Sequence, residues 1–267
     1  MKFFENDKVQ WIQSCFLFVQ IFYLRVPLEV FMKLLERRTG FHISEEELRD
    51  ISVSIPPDLR ICEIIEDYVV ALEIHEDPDY FRGILYLQGD RDYYIPTYDE
   101  IVELTENGCL VNKKAYEDMS DFLIRKVHIE EKQSKSLLTE LWEMIVLVMA
   151  NDLQAPLQWF LDQIALHDNG DNEDTGDAGY GGLLQEAIDL YMTVYNSTNL
   201  PCNRGYAAVD MPRKNLKPGS ASGDVPVIMP GVRRVAKLPK EAAPGIRKMS
   251  FELDLDGDSD VFLLETQ

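Results

Sequence analysis

Five carboxylates late in the sequence have the spacing of a hard-cation site. Asp254, Asp256, Asp258, Asp260 and Glu265 fall at positions 1, 3, 5, 7 and 12 of an EF-hand-like loop, where alternating oxygen ligands and a distal glutamate wrap calcium. Calcium is therefore the candidate cofactor. Two features depart from the pattern. Ser259 takes the sixth position, where glycine permits the sharp turn, and only two residues follow Glu265 for an exiting helix. The plain reading is a solvated acidic segment.

Nitrogen and sulfur ligands offer less. Cys15, Cys62, Cys109 and Cys202 are far apart, with no Cys-x-x-Cys pair, and His42, His75, His128 and His167 share no ligand spacing with them. No zinc is expected, and the thiols read as reduced cysteines of a cytosolic protein. No Gly-x-Ser-x-Gly, Gly-x-Gly-x-x-Gly or phosphate-cradling Gly-Lys-Ser/Thr sequence occurs, so no nucleophile elbow or nucleotide loop is present in the sequence. Ser14-Cys15 lies in an apolar run beside no base and reads as core packing. With 47 Asp and Glu residues, any single pair of carboxylates is uninformative about catalysis, and no catalytic residue is assigned.

The elements that would position such groups are mostly helices. An apolar helix is expected over Lys8–Leu24, interrupted by Gln10, Gln13 and Gln20 and too short and polar to span a bilayer. Pro27 starts a second helix carrying Leu28, Phe31, Met32 and Leu35, with Gly40 beyond its end. Ser44-Glu45-Glu46-Glu47 is a capping-box pattern opening a third. Residues 61–74 read as two short strands turned at Glu66-Asp67. Helix, helix, helix, hairpin is the order of a winged helix-turn-helix. Further helices are expected over Asp77–Leu87, from the capping box Thr97-Tyr98-Asp99-Glu100 to Gly108, and over Lys113–Lys126, Ser134–Ala150 and Gln154–Leu166. The helix over Ser134–Ala150, with Leu137, Leu138, Leu141, Trp142, Ile145, Leu147 and Val148, is apolar around most of its circumference. Residues 168–182 read as a polar, Gly-rich loop. A late helix runs from Leu184 to a boundary at Asn196, and Asn203-Arg204-Gly205 follows as a tight turn.

The fold class is thus mainly α. A winged-helix-like module with a small β-hairpin (1–90) precedes a helical domain (91–211), and a basic linker leads to an acidic C-terminal arm (212–267). Residues 212–249 hold nine Lys and Arg against two acids, whereas 250–267 hold six acids and no base. Apolar residues in the arm, Phe251, Leu253, Leu255 and Val261 to Leu264, make it a candidate contact for homo-oligomerisation.

The stretch 184–205 resembles the segment preceding the zinc knuckle in helical bacterial proteins of the SEC-C-motif type. Asn196, Thr198, Leu200, Asn203, Arg204 and Gly205 carry the likeness, which extends loosely over 1–211. The resemblance implies a winged-helix-like start and a binding role for Asn196, Thr198, Asn203, Arg204 and Gly205. It stops at the knuckle: Tyr206, Ala207 and Ala208 stand where that family continues with His-Thr-Pro, and no Cys or His follows Cys202.

Charge narrows the partners. The net charge of −21 opposes phosphate backbones and anionic membranes. Within 26–75 there are five bases and eleven acids, so no duplex DNA is expected at the N-terminal module, whose would-be recognition helix opens with three glutamates. The expected function is a non-enzymatic, cytosolic interaction or adaptor protein with a protein partner. The alternatives are an acidic nucleic-acid mimic that inhibits a basic protein, and a hydrolase with an unrecognised carboxylate site.

Overall fold

The first helix has almost no polar face to turn to water. In the computed structural model, which describes residues 7–148, 153–167 and 177–212, α1 (Asp7–Phe22) buries Trp11, Ile12, Cys15, Phe16, Phe18, Val19 and Phe22. These positions lie on several sides of the helix, so one neighbour cannot cover them. Each such side chain contributes about 1.5–3 kcal/mol when withdrawn from water. The Trp11 indole N–H also finds a partner, donating to the Leu35 carbonyl at 2.9 Å.

The sheet corrects the expected start. Instead of continuing to Leu24, the first helix closes at Phe22, and the Leu24 N–H reaches back to the Val19 carbonyl at 2.7 Å. Leu24 takes a left-handed backbone, φ 62, at a cost of about 1–3 kcal/mol for a residue that is not glycine. Its side chain is 3% exposed, and that burial offsets the strain. Arg25–Pro27 then forms β1, which pairs antiparallel with β3 (Tyr68–Ala71), and β3 pairs with β2 (Cys62–Ile65). The strand order is β1-β3-β2, and Pro27 is tolerated because β1 is an edge. The second helix, α2 (Leu28–Leu35), follows at once, and α3 (Glu45–Ser54) comes next. Glu66, with φ 51, turns the β2–β3 hairpin beside Asp67. The order α1, β1, α2, α3, β2, β3 is winged-helix-like.

At α3 only half of the expected capping box is used. Ser44 Oγ accepts from the Glu47 N–H at 3.1 Å, while the Glu47 carboxylate pairs with Lys8 of α1. At α5 (Tyr98–Asn107) both halves form between Thr97 and Glu100, and Gly108 ends the helix with φ 73. Between them lies α4 (Pro78–Gln88), capped by Asp77.

The later helices are α6 (Lys113–Arg125), α7 (Glu131–Glu143), α8 (Gln154–His167) and α9 (Asp177–Ser197). α6 packs on α7 and α9, and α8 on α9. Two expectations change here. The helix read over Ser134–Ala150 begins at Glu131 and passes after Glu143 into a π-helical turn, Met144–Val148. It is one-sided rather than apolar all round: Leu137, Leu138, Leu141 and Trp142 are buried, whereas Leu147 is 46% exposed. Of the loop read over 168–182, residues 177–182 are helical instead, because α9 begins at Asp177 and includes Gly181 and Gly182, while residues 168–176 lie outside the described residues. Tertiary packing of the following apolar turns extends a helix through glycines that local propensity disfavours.

The described residues belong to one compact unit, Met1–Ser220. Within it α1 packs against α5, and α4 against the turn at Pro201–Asn203, so contacts cross the division placed at residue 90. Among the described residues the fold is mainly helical with one small three-stranded antiparallel sheet, and no helix is long and apolar enough to cross a membrane.

Trp142 ties α7 to the α5–α6 connection through its indole N–H, which donates to the buried Leu110 carbonyl at 2.9 Å. Trp142→Phe leaves that carbonyl without its donor. The expected loss is about 1–3 kcal/mol, read as a lower urea midpoint with an unchanged slope.

Candidate functional site

The residues singled out at 196–205 form a clamp on two distant stretches of chain. Asn196 sits half-buried in the last turn of α9, and Thr198, fully buried, donates its hydroxyl to the Val194 carbonyl at 2.8 Å. Pro201–Asn203 make a short 3-10 turn, with the Asn203 N–H on the Leu200 carbonyl at 3.1 Å. Arg204 and Gly205 then take left-handed conformations, φ 52 and 82. Gly205 is required there for a second reason: a Cβ would sit 3.0 Å from Cε1 of the Tyr23 ring.

Arg204 directs its guanidinium at the end of α4. It donates to the carbonyls of Gly89 and Arg91 and stacks over the Tyr93 ring, 4.4 Å from its centre. These are carbonyls that a helix end leaves without partners. The backbone closes the same contact, since the Tyr94 N–H donates to the Arg204 carbonyl at 3.0 Å. Gln88, 1% exposed, completes the lacing: its amide donates to Tyr23 O at 3.0 Å and Pro201 O at 2.9 Å. Tyr23 in turn donates its phenol to the Tyr94 carbonyl.

Apart from the Arg204 guanidinium, the donors of the clamp are neutral. Burial pushes the Tyr23 phenol well up. Tyr94 is raised by burial and then by its 2.6 Å bond to the Glu100 carboxylate. The Cys202 thiol is pushed up to about 11, chiefly by burial, and burial likewise raises Cys15 and Cys62. None of these groups ionises near neutrality, so the clamp supplies hydrogen bonds rather than a base or nucleophile.

Beside the clamp lies a groove of about 350 Å³. Leu17, Gln20 and Ile21 of α1 form one wall, Tyr80, Phe81 and Ile84 of α4 the other, and Leu24, Glu73, Val146, Leu147 and Pro201 complete it. Gln20 donates its amide to the Glu73 carboxylate, the polar end of an otherwise apolar lining. None of these residues stands out in the sequence as a site. The available signal is Gln20 interrupting an apolar run, with Leu17 and Ile21 at helical spacing around it.

The other candidates are not gathered. His75 lies 2.9 Å from Glu63, His167 contacts the Gln163 carbonyl within its own helix, and His42 is exposed. Among the described residues no group of three His, Cys, Asp or Glu is placed to hold a metal. Asp254, Asp256, Asp258, Asp260 and Glu265 lie outside the described residues, as does the arm to which oligomerisation is assigned. Comparison with models of protein families, with curated proteins and with solved structures returned no match.

Two outcomes test the clamp. Arg204→Lys keeps the charge but loses the planar fork, so Gly89 and Arg91 lose charge-assisted donors, and the expected loss is about 1.5–3 kcal/mol in urea unfolding. The second is a pH dependence. The Cys202 pKa is raised from 9.0 in the ordinary thiol to about 11. Its contribution to stability is complete below about pH 9 and is lost as pH climbs to about 11, because the unfolded thiol ionises first. The urea midpoint should fall across that window, and less steeply in Cys202→Ala, which has no thiol to titrate.

Proposed function

We propose that this chain is a non-enzymatic interaction module that docks a segment of another protein in the groove between α1 and α4. The observation that carries the reading is the groove's composition: nine of its eleven lining residues are apolar or aromatic, with Gln20 and Glu73 the exceptions. Such a lining suits a hydrophobic anchor better than a polar substrate. Leu147, 46% exposed on the rim, offers apolar surface that a partner would withdraw from water. The proposal places the protein in a reducing compartment such as the cytosol, in keeping with four free cysteines. The winged-helix-like order serves packing in this reading, since α3 opens with Glu45, Glu46 and Glu47, which repel phosphate.

A photo-crosslinking side chain at Leu147 tests the proposal in cells. Discrete protein adducts at position 147, absent when the same side chain replaces the more accessible Val53 of α3 (74% exposed), are expected. Adducts at neither position, or the same adducts at both, would refute the groove as a docking site.

A further inference from the structure

The groove has a charge that nothing around it balances. Glu73 is half-buried in the lining, and its hydrogen-bond partner there, Gln20, is neutral. No Lys or Arg lines the groove, and no ion pair joins Glu73 to a described cation. The adjoining lip is also acidic, with Glu76 and Asp77 exposed between Glu73 and α4 and Asp79 exposed in the first turn of α4. Arg82 is engaged there by Asp79 at 2.9 Å. A half-buried carboxylate whose partner is a neutral amide can still accept a partner's cation.

The walls decide the form of the occupant. Both long walls are helices, whose backbone groups are already paired and offer no ladder to an extended strand. A segment entering an apolar groove between them must satisfy its own backbone, which an α-helix does. Gly83 adds to this. It lies on the α4 stripe Tyr80, Gly83, Leu87 at i, i+3, i+7, and a Cβ there would meet nothing within 4 Å. A glycine in mid-helix weakens the helix, and no contact within the described protein requires it. With no side chain, it leaves open space on α4 next to the stretch whose Tyr80, Phe81 and Ile84 line the groove.

We infer that the occupant is a basic amphipathic helix of a partner protein, its apolar face on Ile21, Tyr80, Phe81 and Leu147 and a Lys or Arg paired with Glu73. This rests on the groove being a docking site, as proposed above. An anionic surface is disfavoured by the same carboxylates.

The test is fluorescence anisotropy with the full-length chain and a labelled helix-forming peptide that carries leucines at i, i+3, i+4, i+7 and flanking lysines. Three companion peptides replace the lysines by glutamine, the lysines by glutamate, or the leucines by serine. The lysine–leucine peptide should bind, with the glutamine and serine versions about tenfold weaker or more, because each loses either the charged hydrogen bond or the apolar anchor. Binding of the lysine–leucine peptide should also weaken in Leu147→Glu. That substitution makes the protein more acidic, so diffuse attraction to a basic peptide would strengthen instead. Glu73→Gln should lower affinity for the lysine peptide and not for the glutamine one. Gly83→Leu should weaken binding without lowering the Tm. Equal binding of the lysine and glutamine peptides, still lost in Leu147→Glu, would overturn the inferred charge while leaving the groove as a docking site. Binding that survives Leu147→Glu, no binding of any peptide, or self-association abolished by Leu147→Glu would overturn the inference, the first two removing the groove reading with it.

Discussion

Two side chains hold together stretches of chain that local structure alone would leave apart. Gln88 spends both amide hydrogens on carbonyls from opposite ends of the described sequence, those of Tyr23 and Pro201. Arg204 caps the carbonyls of Gly89 and Arg91 just beyond it. The need is simple: the buried carbonyls of Tyr23 and Pro201 require a donor, and buried Gln88 supplies it. Once these donors are in place, Tyr23 meets Tyr93 edge-on and Tyr94 meets Tyr206 edge-on at the seam, and the end of α1 is set against α4. The groove is the space left between those two helices where their side chains stop touching.

Much of the helical order was legible because its signals are local. Thr97 and Glu100 cap a helix by direct mutual bonding, Gly108 stops it through a left-handed backbone, and Glu66-Asp67 turn a hairpin where two β-branched runs meet. Each of these needs only residues a few positions apart. What was not legible needs distant partners. A strand of three residues such as Arg25–Pro27 shows no alternation and exists only because Val69 and Val70 pair with it. The beginning of α9 depends on packing that outweighs the low helical propensity of Gly181 and Gly182.

The candidate site divides in the same way. Asn203-Arg204-Gly205 was readable as a turn, since Gly205 answers a local steric demand. What Arg204 reaches, two carbonyls more than a hundred residues earlier, leaves no mark near position 204. The groove is harder still to read, because its residues are ordinary core types that differ from their neighbours only in facing a gap. Its polar feature, Gln20 on Glu73, joins residues 53 positions apart. The π-helical turn at Met144–Val148 adds to the difficulty, as it shifts Leu147 off the face that a regular α-helical count assigns to it.

The clamp also bears on how the molecule is made. Gln88 and Pro201 are 113 residues apart in the chain, so a ribosome adding roughly 5–20 residues per second takes about 6–20 s between them. Until Pro201–Asn203 follows, the aromatic side of α1 and the end of α4 lack the turn that seals them. The nascent protein therefore passes through a stage in which α1, buried on several sides in the finished fold, is exposed on one flank.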